Sequence, residues 1–199
     1  MSSYEVINAV GETLRELVWS AIKNDSTIVS VISTESQIIF EPPFKLLKDT
    51  VPDKNYLSIY LYRIGENENM KNRPLEPKDT NLLKYPPLSL NLFYLISPLT
   101  NSAENDHNLL GKTMQIFYDN AHVKGSMLQG VLANTTEKLR LILNPISMED
   151  ITKLWTSFAR PYHLSVSYEV KVIYIDSERE TEAERVRRKQ IEYSQFGGV

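Results

Sequence analysis

The 199-residue chain contains no cysteine. Without thiols it forms no disulfide, carries no thiolate nucleophile and has no cysteine-ligated metal site. A basic excess is also missing: the formal net charge is −3, which argues against the positive field with which many proteins hold nucleic acid. No apolar run approaches the roughly 20 residues that a membrane-spanning helix needs. The N-terminal MSSYEVINAVGE lacks the pattern of a signal peptide. We therefore expect a soluble protein that is made in the cytoplasm.

The remaining composition is that of a globular protein. Hydrophobic residues make up 42% of the chain and charged residues 24%, so the chain can bury a substantial core. The length suits one domain with a tail. We predict a domain over residues 1–177 and a charged C-terminal helix with a flexible end over residues 178–199.

Three helices are predicted from their starts, because a polar pair three residues apart can cap a helix reciprocally. The pairs are Ser2 with Glu5, Asn101 with Glu104, and Ser147 with Asp150. The first helix has an apolar face with three- and four-residue spacing, formed by Ile7, Val10, Leu14, Leu17 and Ala21. The second runs to about Asp119, and Pro161 prevents continuation of the third. Ser126 and Gln129 suggest a further short helix.

Alternating apolar residues predict four strands, over residues 57–64, 88–96, 139–143 and from 164 onwards. Residues 38–40 are a candidate fifth strand, and Pro98 is expected to end the second of the four. The stretch from 65 to 81 is predicted to be a polar loop. Without regular β-α-β alternation, the pattern indicates an α+β fold with a mainly antiparallel sheet of four to five strands packed against two to three helices.

The last strand changes character along its length. Its second face begins polar and becomes apolar at Ile173 and Ile175. We expect a half-solvated antiparallel strand whose far end is covered on both sides by a partner, and whose edge can be shared with another chain.

The tail from Glu178 to Lys189 has acids early and bases late, an order that suits a helix dipole. It lacks an apolar stripe, so such a helix either projects into solvent or contacts another chain. We predict that the tail and the end of the last strand form an intermolecular contact. The candidate interaction residues are Ile173, Ile175, Glu178, Glu184, Arg185, Arg187, Arg188, Lys189, Tyr193 and Phe196.

No motif predicts chemistry. Gly111-Lys112-Thr113 matches only the end of a phosphate-binding loop, because the glycine required five positions earlier is replaced by Asp106. We interpret Gly111 as a small residue at a helix-packing contact. His163 has no serine elbow to work with, and it is interpreted as a hydrogen-bonded structural residue.

Two carboxylate–histidine pairs resemble metal ligands. Glu104 with His107 and Asp119 with His122 are placed on one helix, 15 residues apart, which is about 22 Å and too far for one metal centre. Eleven tyrosines could suggest base stacking, but those on predicted strands need no such explanation. We predict no catalytic, cofactor-binding or metal-binding residue, and neither nucleic acid nor membrane as a partner.

Several strings together carry a family resemblance over about residues 2–177. They are SSYEVINAVGETLRELVWSAI, LSIYLYRIGENENMKNRP, YPPLSLNLFYLISPLT, HNLLGKTMQIFYDN and ISMEDITKLWTSFARPYHLSVSYEVKVIYIDS. In these strings the chain resembles the N-terminal domain of the cap, or tube-terminator, proteins of extracellular contractile injection systems. These phage-tail-like particles include the antifeeding prophage and the Photorhabdus virulence cassettes.

The resemblance implies a tail-terminator-like fold and a structural role without catalytic or cofactor residues. It implies a homo-oligomer, a six-fold ring at the particle end distal from the baseplate, which stops growth of the inner tube and contacts the last sheath ring. The particle would be assembled in the cytoplasm and then released or anchored. Whether the chain caps alone or beside a second, longer cap protein stays open. The alternative function is a small adaptor that binds a peptide or partner protein by edge-strand addition.

Overall fold

The structure, a computed structural model, describes residues 4–46, 54–71, 73–79 and 81–182. The helices and strands in chain order are α1 (Val6–Ile22), β1 (Ile38–Ile39), β2 (Tyr56–Glu66), β3 (Glu76–Asp79), β4 (Leu82–Lys84), β5 (Leu88–Leu99), α2 (Ala103–Asp119), β6 (His122–Lys124), β7 (Lys138–Asn144), α3 (Met148–Ser157), β8 (Val166–Ile175) and β9 (Glu180–Glu182).

The main sheet has the strand order β1-β2-β5-β8-β7-β6. β1 runs parallel to β2, and the other neighbouring pairs are antiparallel. The predicted α+β class with a mainly antiparallel sheet is confirmed. A smaller sheet with the order β3-β4-β9 lies beyond the main one.

The inner face of the main sheet is the face that α1 and α2 cover. Val10 and Leu14 of α1, and Leu109 and Phe117 of α2, are at most 1% exposed and belong to one apolar cluster with β2, β5, β7 and β8. Burial of such a side chain stabilises the fold by roughly 1.5–3 kcal/mol. The ring of Phe117 meets that of Tyr168 edge to face, with centroids 4.9 Å apart.

The outer face is covered at one end by α3. Ser147 caps this helix by accepting a hydrogen bond from the backbone N–H of Asp150 at 3.1 Å, which confirms the predicted cap. Trp155 is fully buried against β5, and its indole Nε1–H donates to Ser165 Oγ at 3.1 Å. The sheet therefore has a core on both faces, but only part of the outer face is covered.

A bulge in β8 corrects the interpretation of its apolar end. The register with β5 pairs Leu92 with Val170 but Leu90 with Ile173, so β8 carries one extra residue between these pairs. A bulge of this kind moves the following side chains to the opposite face. Ile173 thus joins the inner core, where it is 2% exposed, and Ile175 packs beside it. The domain's own core therefore covers Ile173, whereas Ile175 stays partly exposed and its contact with a partner stays a prediction.

The edge of β8 is also not free along most of the strand. β8 lies between β5 and β7, and β7 pairs with residues 167–171. Beyond Lys171, β5 is the strand that pairs with β8 in the described part of the chain. The prediction of a shareable β8 edge is therefore wrong for residues 167–171.

Two other predicted helix starts differ in the structure. Ser102, not Asn101, precedes α2, and its side chain makes no capping hydrogen bond. Instead Asp106, in the first turn, accepts a hydrogen bond from the backbone N–H of Thr100 at 3.0 Å. Glu5 precedes α1 without a side-chain cap, and Ser2 lies outside the described residues.

The predicted polar loop is partly wrong, because β3 and β4 form a hairpin within residues 76–84. Residues 180–182, predicted to be helical, form β9 and pair with β4. β5 does not end at Pro98, as predicted, but continues to Leu99. Beyond Ile96 it pairs with β2 and no longer with β8, so Pro98 lies where the strand has a partner on one side. The short helix predicted near Ser126 is a pair of single 3₁₀ turns.

Candidate assembly surfaces

The part of the outer face that α3 leaves open carries a set of hydrogen-bonded polar side chains, the outer-face network. The hydroxyl of Tyr62 lies 2.9 Å from Ser167 Oγ, and Asn144 Nδ2 donates to the same oxygen at 3.1 Å. Asn91 Nδ2 donates to Glu169 Oε1 at 2.9 Å. These residues sit on β2, β5, β7 and β8, so the network crosses four strands of the sheet.

An aromatic and a cationic side chain continue this surface. The guanidinium carbon of Arg63 lies 4.6 Å from the ring centroid of Phe93, and Tyr62 packs against the same ring. Lys171 forms an ion pair with Glu169 at 3.0 Å. The polar groups of this face already have partners, and a mixture of polar, aromatic and cationic side chains is typical of contact with another protein. In the sequence, the polar residues that alternate with apolar ones along each strand indicate this face.

A groove of about 660 Å³ lies on the other side of the domain, between α1 and β2. Ile7, Phe40, Leu61 and Val131 contribute apolar surface to it. The turn that carries Val131 closes one side, and Gly130 there has a φ of 57°. The sequence analysis did not predict this groove, because its walls come from segments more than a hundred residues apart.

The predicted interaction residues are placed as follows. Ile173 and Ile175 lie within or against the inner core, whereas Glu178 is exposed in the link between β8 and β9. The other predicted residues lie outside the described part of the chain; they are Glu184, Arg185, Arg187, Arg188, Lys189, Tyr193 and Phe196. Their role in an intermolecular contact stays a prediction.

The small sheet fixes the path of the chain just before that tail. Lys78 on β3 forms an ion pair with Glu180 on β9, and Lys84 lies 3.8 Å from Asp176. The guanidinium of Arg179 lies over the ring of Tyr85 at 4.2 Å. The segment after β8 is therefore held against the hairpin up to Glu182.

The phosphate-loop string lies within α2, with Gly111 exposed and Thr113 fully buried. Lys112 forms an ion pair with Asp25 at 3.1 Å, and the hydroxyl of Thr113 donates to the carbonyl of Leu109 at 2.8 Å. Gly111 is exposed, and a Cβ placed on it would meet no atom within 4 Å. The interpretation of Gly111 as a packing residue is therefore wrong, although its place inside a helix agrees with the prediction.

The two carboxylate–histidine pairs do not come together. α2 ends at Asp119, so His122 lies on β6 and not, as predicted, on the same helix as His107. Both imidazoles are exposed. Among the residues that the structure describes, no three metal-ligating side chains are grouped so that they could hold an ion. Within the same residues, no helix is long and apolar enough to cross a membrane.

His163 is hydrogen-bonded, as predicted. Its Nε2 lies 2.8 Å from the carbonyl oxygen of Pro98 and 3.4 Å from Asp106 Oδ2. The pKa of His163 is raised, chiefly by the bond to Asp106, while burial acts in the opposite direction. The cluster ties the segment before β8 to the end of β5 and to the start of α2.

Comparison with known proteins identifies the family of this chain. The profile of the Pvc16 N-terminal domain family matches residues 9–189. Comparison with curated protein sequences gives no significant match. The resemblance identified in the sequence is confirmed by the family profile.

Two solved structures share the fold. One is the sheath/tube terminator of PVC, an extracellular contractile injection system, in the extended state, with a TM-score of 0.65 and 17% identity. The other is the tube-terminating cap of the anti-feeding prophage, with a TM-score of 0.54 and 16% identity. The matches cover 100% and 97% of this chain, which spans 66% and 62% of the length of those chains. Because the family profile covers most of its residues, this chain belongs to the Pvc16 N-terminal domain family.

Proposed function

We propose that this chain is a structural cap, which terminates the inner tube of a contractile injection system and contacts its last sheath ring. The observation that carries the proposal is the fold match to a sheath/tube terminator over the whole of this chain. Family membership points the same way. Both favour a cap over a small peptide-binding adaptor, and the proposed role requires no catalysis.

The proposed cap is a hexameric ring. A closed ring is built from heterologous interfaces, in which one surface of each copy meets a different surface of the next. The outer-face network lies on the face of the main sheet opposite to the groove, so each copy has two different surfaces that neighbouring copies can contact. The partners in this proposal are the other copies, the inner tube protein and the sheath protein.

A second cap protein is a further proposed partner. This partner would be a longer cap protein that acts beside the chain in the same particle. We further propose that the particle is assembled in the cytoplasm and is then released or anchored.

The tail is the proposed intermolecular contact of the cap, through the run from Glu184 to Lys189 together with Tyr193 and Phe196. A truncation that tests this contact has to spare β9, because residues 180–182 pair with β4. Removal of residues 183–199 should therefore leave the described domain folded, with one cooperative thermal unfolding transition, yet unable to cap particles.

The deciding experiment is electron microscopy of particles from cells with and without this chain. With the chain, we expect tubes of one defined length that carry it at the end distal from the baseplate, detected by gold-labelled antibody. Without it, tube lengths should spread widely. Unchanged tube lengths in cells that lack the chain would overturn the capping proposal.

A further inference from the structure

The outer edge of β2 lacks a strand partner along most of its length. β1 pairs only with Leu57 and Ser58, whereas β2 continues to Glu66. From Ile59 onwards β5 pairs with one side of β2, and among the described residues no strand pairs with the other. Such an edge presents backbone N–H and C=O groups that can pair with an added strand.

The groove lies directly beside this free edge. Ile59, Tyr60 and Leu61 of β2 are part of its lining, and Ile7 and Phe40 stand opposite them. A strand added to β2 would direct alternate side chains towards the groove, because successive residues of a strand point to opposite faces. Backbone pairing combined with pockets for alternate side chains is an established mode of peptide recognition.

The chain contains a segment that fits this site. Residues 183–199 lie beyond the described part, and they include Ile191 and Tyr193, whose two-residue spacing places both side chains on one side of a strand. The basic run of residues 185–189 precedes them. The α1 side of the groove bears Glu5 and Glu12, so the charges of groove and segment are opposite in sign.

We propose that the C-terminal segment of one copy adds as a strand to the free β2 edge of the next copy, with Ile191 and Tyr193 in the groove. This inference rests on one part of the proposed function, namely that copies of the chain contact one another in an assembly. From Glu182, the stretch of chain to Tyr193 can span roughly 36 Å at about 3.3 Å per residue. That reach, from a departure point held by the small sheet at Glu182, is sufficient for contact with an adjacent domain of this size.

The natural absence of cysteine makes disulfide trapping a clean test. Full-length Val131→Cys and Tyr193→Cys chains, with different affinity tags, are co-expressed, purified and oxidised. Val131 lines the groove and is 39% exposed, so its replacement should not disturb folding. We expect a disulfide between the two differently tagged chains, visible on a non-reducing gel and removed by reductant.

The matched control replaces the groove cysteine with Tyr118→Cys. Tyr118 is 83% exposed on α2 and does not line the groove. The Val131 pair should crosslink several-fold more than the Tyr118 pair, and equal yields would overturn the proposal. A chain that carries both Val131→Cys and Tyr193→Cys tests whether each tail fills the groove of its own copy instead. A disulfide found only within single chains would show this and would also overturn the proposal.

Charge reversal provides a second readout that does not depend on the cysteine at Tyr193. In a co-expressed Val131→Cys and Ile191→Cys pair, Glu12→Lys should reduce crosslinking several-fold, whereas Glu104→Lys, an exposed site on α2, should leave it unchanged. If the Val131→Cys and Tyr193→Cys chains do not crosslink although particle lengths are normal, tail exchange is overturned and capping is left intact. Unchanged crosslinking in the Glu12→Lys variant would likewise count against tail exchange. Normal lengths in cells without the chain would overturn capping and leave the crosslink standing.

Discussion

The imidazole Nε2 of His163 lies 3.4 Å from Oδ2 of Asp106, which joins the segment before β8 to the first turn of α2. Asp106 is 6% exposed, and its other oxygen accepts the backbone N–H of Thr100. The pair therefore secures three chain segments, and the carboxylate is the main reason that the pKa of His163 is raised.

A raised pKa in the folded state makes stability depend on pH in a definite direction. The protonated form of His163 is favoured by folding, so its stabilising contribution is complete below the unfolded pKa of about 6.5 and is lost as pH rises through the higher folded value. We expect the free energy of unfolding to fall as pH rises above about 6.5 and through the folded pKa of His163. His163→Gln should remove this part of the slope and cost about 1–3 kcal/mol at pH 6.

Urea unfolding at several pH values measures this effect. His107→Gln is the matched control, because His107 is exposed on α2. If His163→Gln and the unmodified chain lose stability in parallel as pH rises, the His163–Asp106 bond does not cause the pH dependence.

Two serines that precede helices should respond differently to replacement by alanine. Ser147 accepts a hydrogen bond from the N–H of Asp150, and loss of such a cap costs about 0.5–2 kcal/mol. Ser102 holds the corresponding position before α2 without a side-chain cap. Thermal unfolding should therefore show a lower midpoint for Ser147→Ala and an almost unchanged midpoint for Ser102→Ala. Equal shifts of the two midpoints would contradict the assignment of the caps.

Two glycines should give effects of opposite sign when replaced by alanine. Gly130 has a φ of 57°, and a Cβ there would lie 3.1 Å from Ala9 Cβ. Strain of this kind destabilises by roughly 1–3 kcal/mol. Gly111 is exposed within α2 with open space around it, so Gly111→Ala should stabilise by about 0.5–1 kcal/mol. Chemical denaturation of both variants tests the pair, and a stabilising Gly130→Ala would refute the backbone argument.

The sequence predicted those elements that depend on local pattern. The alternation from Leu57 and from Leu88, and the cap at Ser147, are all confirmed, because each is specified by residues close together in the chain. The bulge in β8 was misinterpreted for a physical reason. Two different structures give the same order of apolar residues in the sequence: a strand with a bulge of one residue, and a strand that changes from half-buried to fully buried. The register with β5 shows that β8 has the bulge.

Features that depend on distant pairing were not predicted. β9 forms because Glu180–Glu182 meets β4, about a hundred residues earlier, and the local order of acids and bases favoured a helix instead. The groove was missed for the same reason. The free edge of β2 was also not predicted. It exists because β1 is short, and residues 38–40 alone specify neither the length nor the partner of β1.

The hydrogen bonds of the outer-face network also determine what docking there would cost. Asn91 is hydrogen-bonded to Glu169, and Asn144 to Ser167, which is itself buried. A partner that meets them would lose little side-chain entropy, which otherwise amounts to about 0.5–1.5 kcal/mol for each long side chain immobilised in an interface. In the proposed assembly, this part of the sheet would therefore meet its partner with side chains whose orientations are already set by hydrogen bonds.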